Sequence, residues 1–215
     1  MKSRKIQNKS RYVWAFIIGT AIFVIGFMFT NMIAYLQFQR VTSLQDPISY
    51  QIFQDKLQYT LFGADICEED TYIKISQDLT FQGQIIGDLE NKLGLDNPGV
   101  LFRKKFYTLI QLEHFEFVKL INEECDKNIN SILFFYSNKK ADLKNSEKLG
   151  DILGSVYQRN KDTLVLYSLD LNLDSEIMKS LRKKYKVGEE SVVIVNENQR
   201  FTKINHINEI EQFLK

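Results

Sequence analysis

From Tyr12 to Gln39 the chain carries no Asp, Glu, Lys, Arg or His, and most of its side chains are apolar. The hydrocarbon core of a bilayer takes about 20 apolar residues to cross. Inside it a backbone must satisfy its own hydrogen bonds. This run therefore has to be a helix, and no other feature constrains the fold as strongly. Trp14 and Tyr35 fall near its two ends, where amphipathic rings favour the membrane interface. A cleaved signal peptide has a shorter apolar core, about 7–15 residues, followed by small side chains. Here the run is longer and residues 32–38 are bulky, so the segment reads as an uncleaved signal-anchor over residues 12–39. Residues 1–11 form a basic tail, with Lys2, Arg4, Lys5, Lys9 and Arg11 and no acid. Positive charge before a span predicts a cytoplasmic N-terminus and an extracytoplasmic remainder. The expected location is the cell membrane, single-pass, with the lipid bilayer as first partner and Arg40 snorkelling at the far interface.

The remaining chain reads in two parts, an extracytoplasmic helical region over residues 40–128 and a strand-bearing domain over residues 129–215. Asp46 and Pro47 suit an N-cap and first turn, and Ile48, Ile52, Phe53, Leu57 and Leu61 follow at helical spacing up to Gly63. A second helix is predicted from about Glu68 to Leu93, stopped by Gly94. Pro98 opens a third, Val100 to about Cys125, apolar nearly all round at its centre and so expected between other elements. The pattern leaves open whether these helices stand apart or pack on the C-terminal domain. From residue 130 the period changes. Strands are predicted at 131–136, 163–169, 191–195 and 200–204, the last two joined by an Asn196-Glu197-Asn198-Gln199 hairpin. Helices are expected at about 142–157, 175–185 and 207–214. The fold class is α/β: a transmembrane helix, a helical segment, then a βαβ–ββα domain.

That order of elements, with Phe134-Phe135-Tyr136-Ser137 closing the first strand, resembles the thioredoxin-like superfamily over residues 129–215. The layout also resembles membrane-anchored thioredoxin-like proteins with a helical insert before the redox domain. In that family a Cys-x-x-Cys follows the first strand and a cis-proline precedes the third. Aligned from Ser137, the resemblance puts Lys140 at the nucleophile and Leu143 at the resolving position, and Glu190 stands where the proline would be. Thiol–disulfide exchange needs a thiolate, and no cysteine lies beyond Cys125. The resemblance thus implies a redox-inactive member: not an enzyme, but an interaction or scaffold module keeping a peptide-binding groove. Its partner would be an unidentified envelope or membrane protein.

Other residues narrow the choice. Cys67 and Cys125, an even pair in an oxidising compartment, are read as a structural disulfide. The alternative is a thiol–disulfide oxidoreductase or accessory that uses this pair, against which stand their wide spacing and acidic flanks. His114 and His206 lack metal or catalytic spacing and are read as packing or capping residues. No phosphate loop, nucleophile elbow or zinc motif occurs, so no cofactor or metal is expected. With a net charge of +1 there is no electrostatic case for nucleic acid. Arg103-Lys104-Lys105 and Arg182-Lys183-Lys184 are read as solvated helix faces. A filler ion pair is expected between Lys139-Lys140 and Glu189-Glu190.

Overall fold

The computed structural model describes residues 9–62, 67 and 71–214. Lys2, Arg4 and Lys5 of the basic tail, Gly63, and the acids Asp65, Glu68, Glu69 and Asp70 around Cys67 lie outside the described residues. Contacts divide the chain into Met1–Arg40 and Val41–Lys215.

The apolar run lies in one helix, α1 (Lys9–Phe62), of 54 residues. Its stretch Lys9–Ile33 is 25 residues long with none of it buried. At 1.5 Å per residue that is about 37 Å, enough to cross a bilayer. The expected separate start at Asp46 and Pro47 is not found, because the helix continues through both. A proline inside a helix costs a hydrogen bond, but ending and renucleating a helix costs more ordered residues per bond gained.

The second unit holds α2 (Thr71–Leu93), α3 (Pro98–Glu124) and a four-stranded sheet with its helices. Gly94 ends α2 with φ +92, and its N–H reaches the Glu90 carbonyl at 2.8 Å. Glycine adopts that left-handed conformation without a Cβ penalty. Asn97 caps α3, its side chain accepting from the N–H groups of Gly99 (3.0 Å) and Val100 (3.3 Å), with Pro98 in the first turn.

The sheet is built from β1 (Asn130–Tyr136), β2 (Leu164–Asp170), β3 (Val192–Val195) and β4 (Gln199–Phe201), in the order β2-β1-β3-β4. Strands β1 and β2 are parallel, joined by α4 (Leu143–Asn160); β3 runs antiparallel to β1, and β4 antiparallel to β3. Between β2 and β3 lies α5 (Glu176–Lys184), and α6 (Asn208–Glu211) follows β4. The β3–β4 turn has φ 48 at Asn196 and φ 58 at Glu197, with the Asn198 N–H on the Val195 carbonyl at 3.1 Å. Positive φ at both central positions matches strand twist. Strand β4 is shorter than expected because Thr202 and Lys203 are exposed while Ile204 turns back into the core. The last helix spans four residues rather than eight, with turns completing the segment. Ile132, Phe134, Leu149, Leu153, Val156, Val193, Val195 and Ile210 pack in one apolar cluster.

The helical region is not a bundle of its own: α3 packs on both α2 and β2, as its all-round apolar centre implies. Strand β2 is a sheet edge, which leaves backbone groups unpaired. The Gln111 carboxamide fills that role at Ser168, accepting its N–H at 2.8 Å and donating to its carbonyl at 3.1 Å. Asn122 does the same for Ile129 just before β1, at 2.9 Å in both directions. Between them the buried His114 Nδ1 meets Tyr167 Oη at 3.0 Å.

Cys125 caps α3, and its sulfur bonds that of Cys67, with Cα atoms 5.3 Å apart. The bond closes a loop of sequence separation 58. Cross-linking over such a loop restricts the unfolded chain by about 4 kcal/mol. Replacing both cysteines by serine should lower unfolding free energy by about that amount in chemical denaturation. No change in midpoint would show that the bond braces nothing.

Candidate functional site

The loop after β1 and the chain before β3 meet in one corner. Asp142 precedes α4, and its carboxylate accepts the Ser191 N–H at 2.6 Å and also takes the Ser191 hydroxyl. Asn145 donates to the other oxygen at 3.1 Å. The Ser137 N–H donates to Ser146 Oγ (2.9 Å) and Ser191 Oγ (3.1 Å), and these hydroxyls are 2.7 Å apart. Ser137, Ser146 and Ser191 are all buried. Buried polar groups need partners, and this web gives them each other. At the rim Lys139 pairs with Glu189, which also takes Arg182 Nη2 at 2.7 Å.

The sequence-predicted positions lie around this corner. Lys140, Leu143 and Glu190 are exposed, next to the half-buried contacts between Asp142 and Ser191. The expected filler ion pair forms through Lys139 and Glu189. Cys67 and Cys125 are half-buried and bonded to each other. His206 is exposed, and Glu209 accepts its N–H at 2.9 Å, as expected of a capping position. Arg182 and Lys184 end α5 and reach Glu189 and Glu197. Among the described residues no cluster of His, Cys, Asp and Glu could hold a metal.

One residue corrects the sequence reading. Lys104 is not on a solvated face: it is 4% exposed and pairs with both Glu90 of α2 and Asp170 at the end of β2. Burial works to lower its pKa, but the acidic groups of Tyr136, Asp170 and Glu90 outweigh it and hold the ammonium above the usual lysine range. Its Nζ stands 5.4 Å from the centre of the Tyr136 ring. Burial pushes the Tyr136 phenol up, and the nearby Lys104 ammonium only partly offsets it. Asp170 is held on its other sides by the Asn172 N–H (2.8 Å) and Asn138 Nδ2 (3.0 Å). Asn138 and Ser137 are neighbours, so this ion cluster and the serine corner form one continuous polar network. The phase of α3 carries the signal for it: Lys104 lies on the stripe of Val100, Tyr107, Gln111, His114 and Val118, not on that of Phe102 and Lys105.

Two predictions follow from these charges. Lys104→Met leaves two carboxylates without their cation, a loss of about 3–5 kcal/mol for breaking one side of a buried pair; an unchanged denaturation midpoint would mean the cluster is solvated. At the surface, Lys139 and Arg182 hold the Glu189 carboxyl down to about 2, from an ordinary 4.5. Because that pKa is depressed, the contribution to stability is complete above the ordinary value and fades as pH falls through about 2. An NMR titration of Glu189 should give that low midpoint, moving up in Lys139→Ala; the same midpoint in both proteins would contradict the pairing. No family model, curated protein or solved structure matches the chain.

Proposed function

We propose that this chain is a membrane-tethered, extracytoplasmic binding module on a thioredoxin-like scaffold, with no redox-active cysteine, serving protein interaction or scaffolding rather than catalysis. The order β2-β1-β3-β4, with β1 and β2 parallel and β3 and β4 antiparallel, agrees with that scaffold. The observation that carries the reading is the corner at the start of α4. Asp142 and Ser191 are locked to each other where the family would hold a thiol pair beside a proline. The corner is therefore kept ordered by polar contacts, while Lys140, Leu143 and Glu190 present side chains at its surface. An ordered, exposed surface on a rigid scaffold suits recognition. An exposed, long apolar helix supports the tether, and the basic residues that precede it in the sequence support an extracytoplasmic domain.

A second reading, thiol exchange through Cys67 and Cys125, draws on their half-buried position, open to an attacking thiolate. Insulin reduction by the full chain at the rate of buffer alone would remove it.

The binding reading is tested in the native membrane with a photoreactive residue placed in turn at Lys140, Leu143 and Glu190, and at the exposed Ser155 on α4 as control. One shared protein crosslinked from the three positions, and absent from the control, is the expected result. No crosslinked protein, or the same set from all four positions, would refute a role for this corner.

A further inference from the structure

A cavity of about 390 Å³ opens between α2, α3, β1 and β2, within the Val41–Lys215 unit. That is in the size range of sites for small molecules, about 300–1,000 Å³. Its walls are apolar and aromatic, with Ile86, Leu166, Phe134 and the rings of Tyr107 and Tyr136. Its charged end is the cluster of Glu90, Lys104 and Asp170.

The charges there do not balance, since two carboxylates face one ammonium. Asp170 is fully engaged: Oδ1 accepts from the Asn172 N–H, and Oδ2 from Asn138 and Lys104. Glu90 is not. Its Oε1 takes Lys104, and among the described residues Oε2 has no partner. A carboxylate oxygen beside an apolar wall is a strong acceptor when a donor reaches it. An anion entering here would meet net negative charge, and a neutral apolar molecule would leave Oε2 unmet. A cation satisfies both conditions, and the aromatic rings favour it further through their faces. Lys104 already uses the Tyr136 ring this way.

The glycines of α2 shape the wall. A Cβ at Gly83 would stand 2.8 Å from Tyr107 Oη, so only glycine lets that hydroxyl donate to the Leu79 carbonyl at 2.8 Å. A Cβ at Gly87, which also lines the cavity, would meet nothing within 4 Å.

The geometry points to this cavity as a binding site for a small primary ammonium compound with a short apolar or aromatic body. The ammonium sits on Glu90 Oε2, and the body lies against Tyr107, Phe134 and Tyr136. Asp170 joins this cavity to the polar web of the corner, but Lys140, Leu143 and Glu190 are not among its lining residues, so binding here is read separately from recognition at the corner.

The test uses the full chain in phosphatidylcholine nanodiscs, with phenethylamine as probe and phenylethanol and phenylpropionate as its neutral and anionic counterparts. Binding is read by titration calorimetry against empty nanodiscs. Gly87→Leu fills the cavity from a helix position where glycine is unfavourable, and its thermal unfolding should match or exceed that of the parent. Glu90→Gln keeps an acceptor but removes the charge. Saturable binding of the amine is expected, weaker by about tenfold or more in both variants, and the two counterparts should bind at least about tenfold more weakly than the amine. The assignment is overturned by no saturable binding of the amine to the parent chain. It is equally overturned by unchanged amine affinity in a folded Gly87→Leu, or by phenylpropionate binding as tightly as the amine.

Discussion

The fit of α3 against the edge of β2 is the contact on which the rest of the Val41–Lys215 unit depends. An edge strand offers its backbone to any passing chain, and β2 is such an edge. Helix α3 closes it with side chains rather than with another strand. Gln111 reproduces one rung of a ladder at Ser168, and Asn122 ties the helix to Ile129 just ahead of the inner strand β1. Lys104 fixes the far end through Asp170. The same helix carries Cys125, so the disulfide to Cys67 braces one end while the buried ion cluster holds the other. A polar seam of this kind adds little net energy per bond, yet each partner is costly to orphan once buried. It fixes register more than it adds stability.

Asp170 links this seam to the corner at α4. It accepts from Lys104 of the helix, from Asn138 in the loop after β1 and from Asn172 in the loop after β2. Asn172 in turn accepts the Asn138 N–H at 2.7 Å. One buried carboxylate thus orders both loops that border the serine web. A corner held by hydroxyls, amides and one aspartate needs no thiol for its shape. That supports the proposal that a thioredoxin-like scaffold has here been kept for recognition after its chemistry was lost.

The elements with strong local signals were legible in the sequence. The switch from helical to strand period near residue 130, the Asn196-Glu197 turn and the helix start at Pro98 each rest on neighbouring residues, and the structure has all three. The all-round apolar centre of α3 also implied its sandwiched place. What was not legible depends on distant partners. Lys104 sits between two basic residues and reads as a surface triplet, and only its phase on the helix separates it from them. Its partner Asp170 is 66 residues away. Asp142 stands at the predicted start of α4, yet its carboxylate accepts from Ser191, 49 residues on, and makes no cap bond to the helix. The continuity of α1 through Pro47 escaped because local rules weigh a proline by its missing N–H, not by the length of helix already formed on either side.

The function proposed above rests on an outward-facing domain that is braced by its cysteines and inert as a redox catalyst. It is tested most directly by the thiol state of Cys67 and Cys125 in protein taken from its own membrane. Alkylation before and after reduction, followed by intact mass, reads it in one experiment. No adduct without reductant, and two adducts after it, are expected. Two adducts without reductant would mean free thiols, contradicting both the brace and the extracytoplasmic placement, and a mixture of bonded and free chains would contradict the claim that the pair is inert.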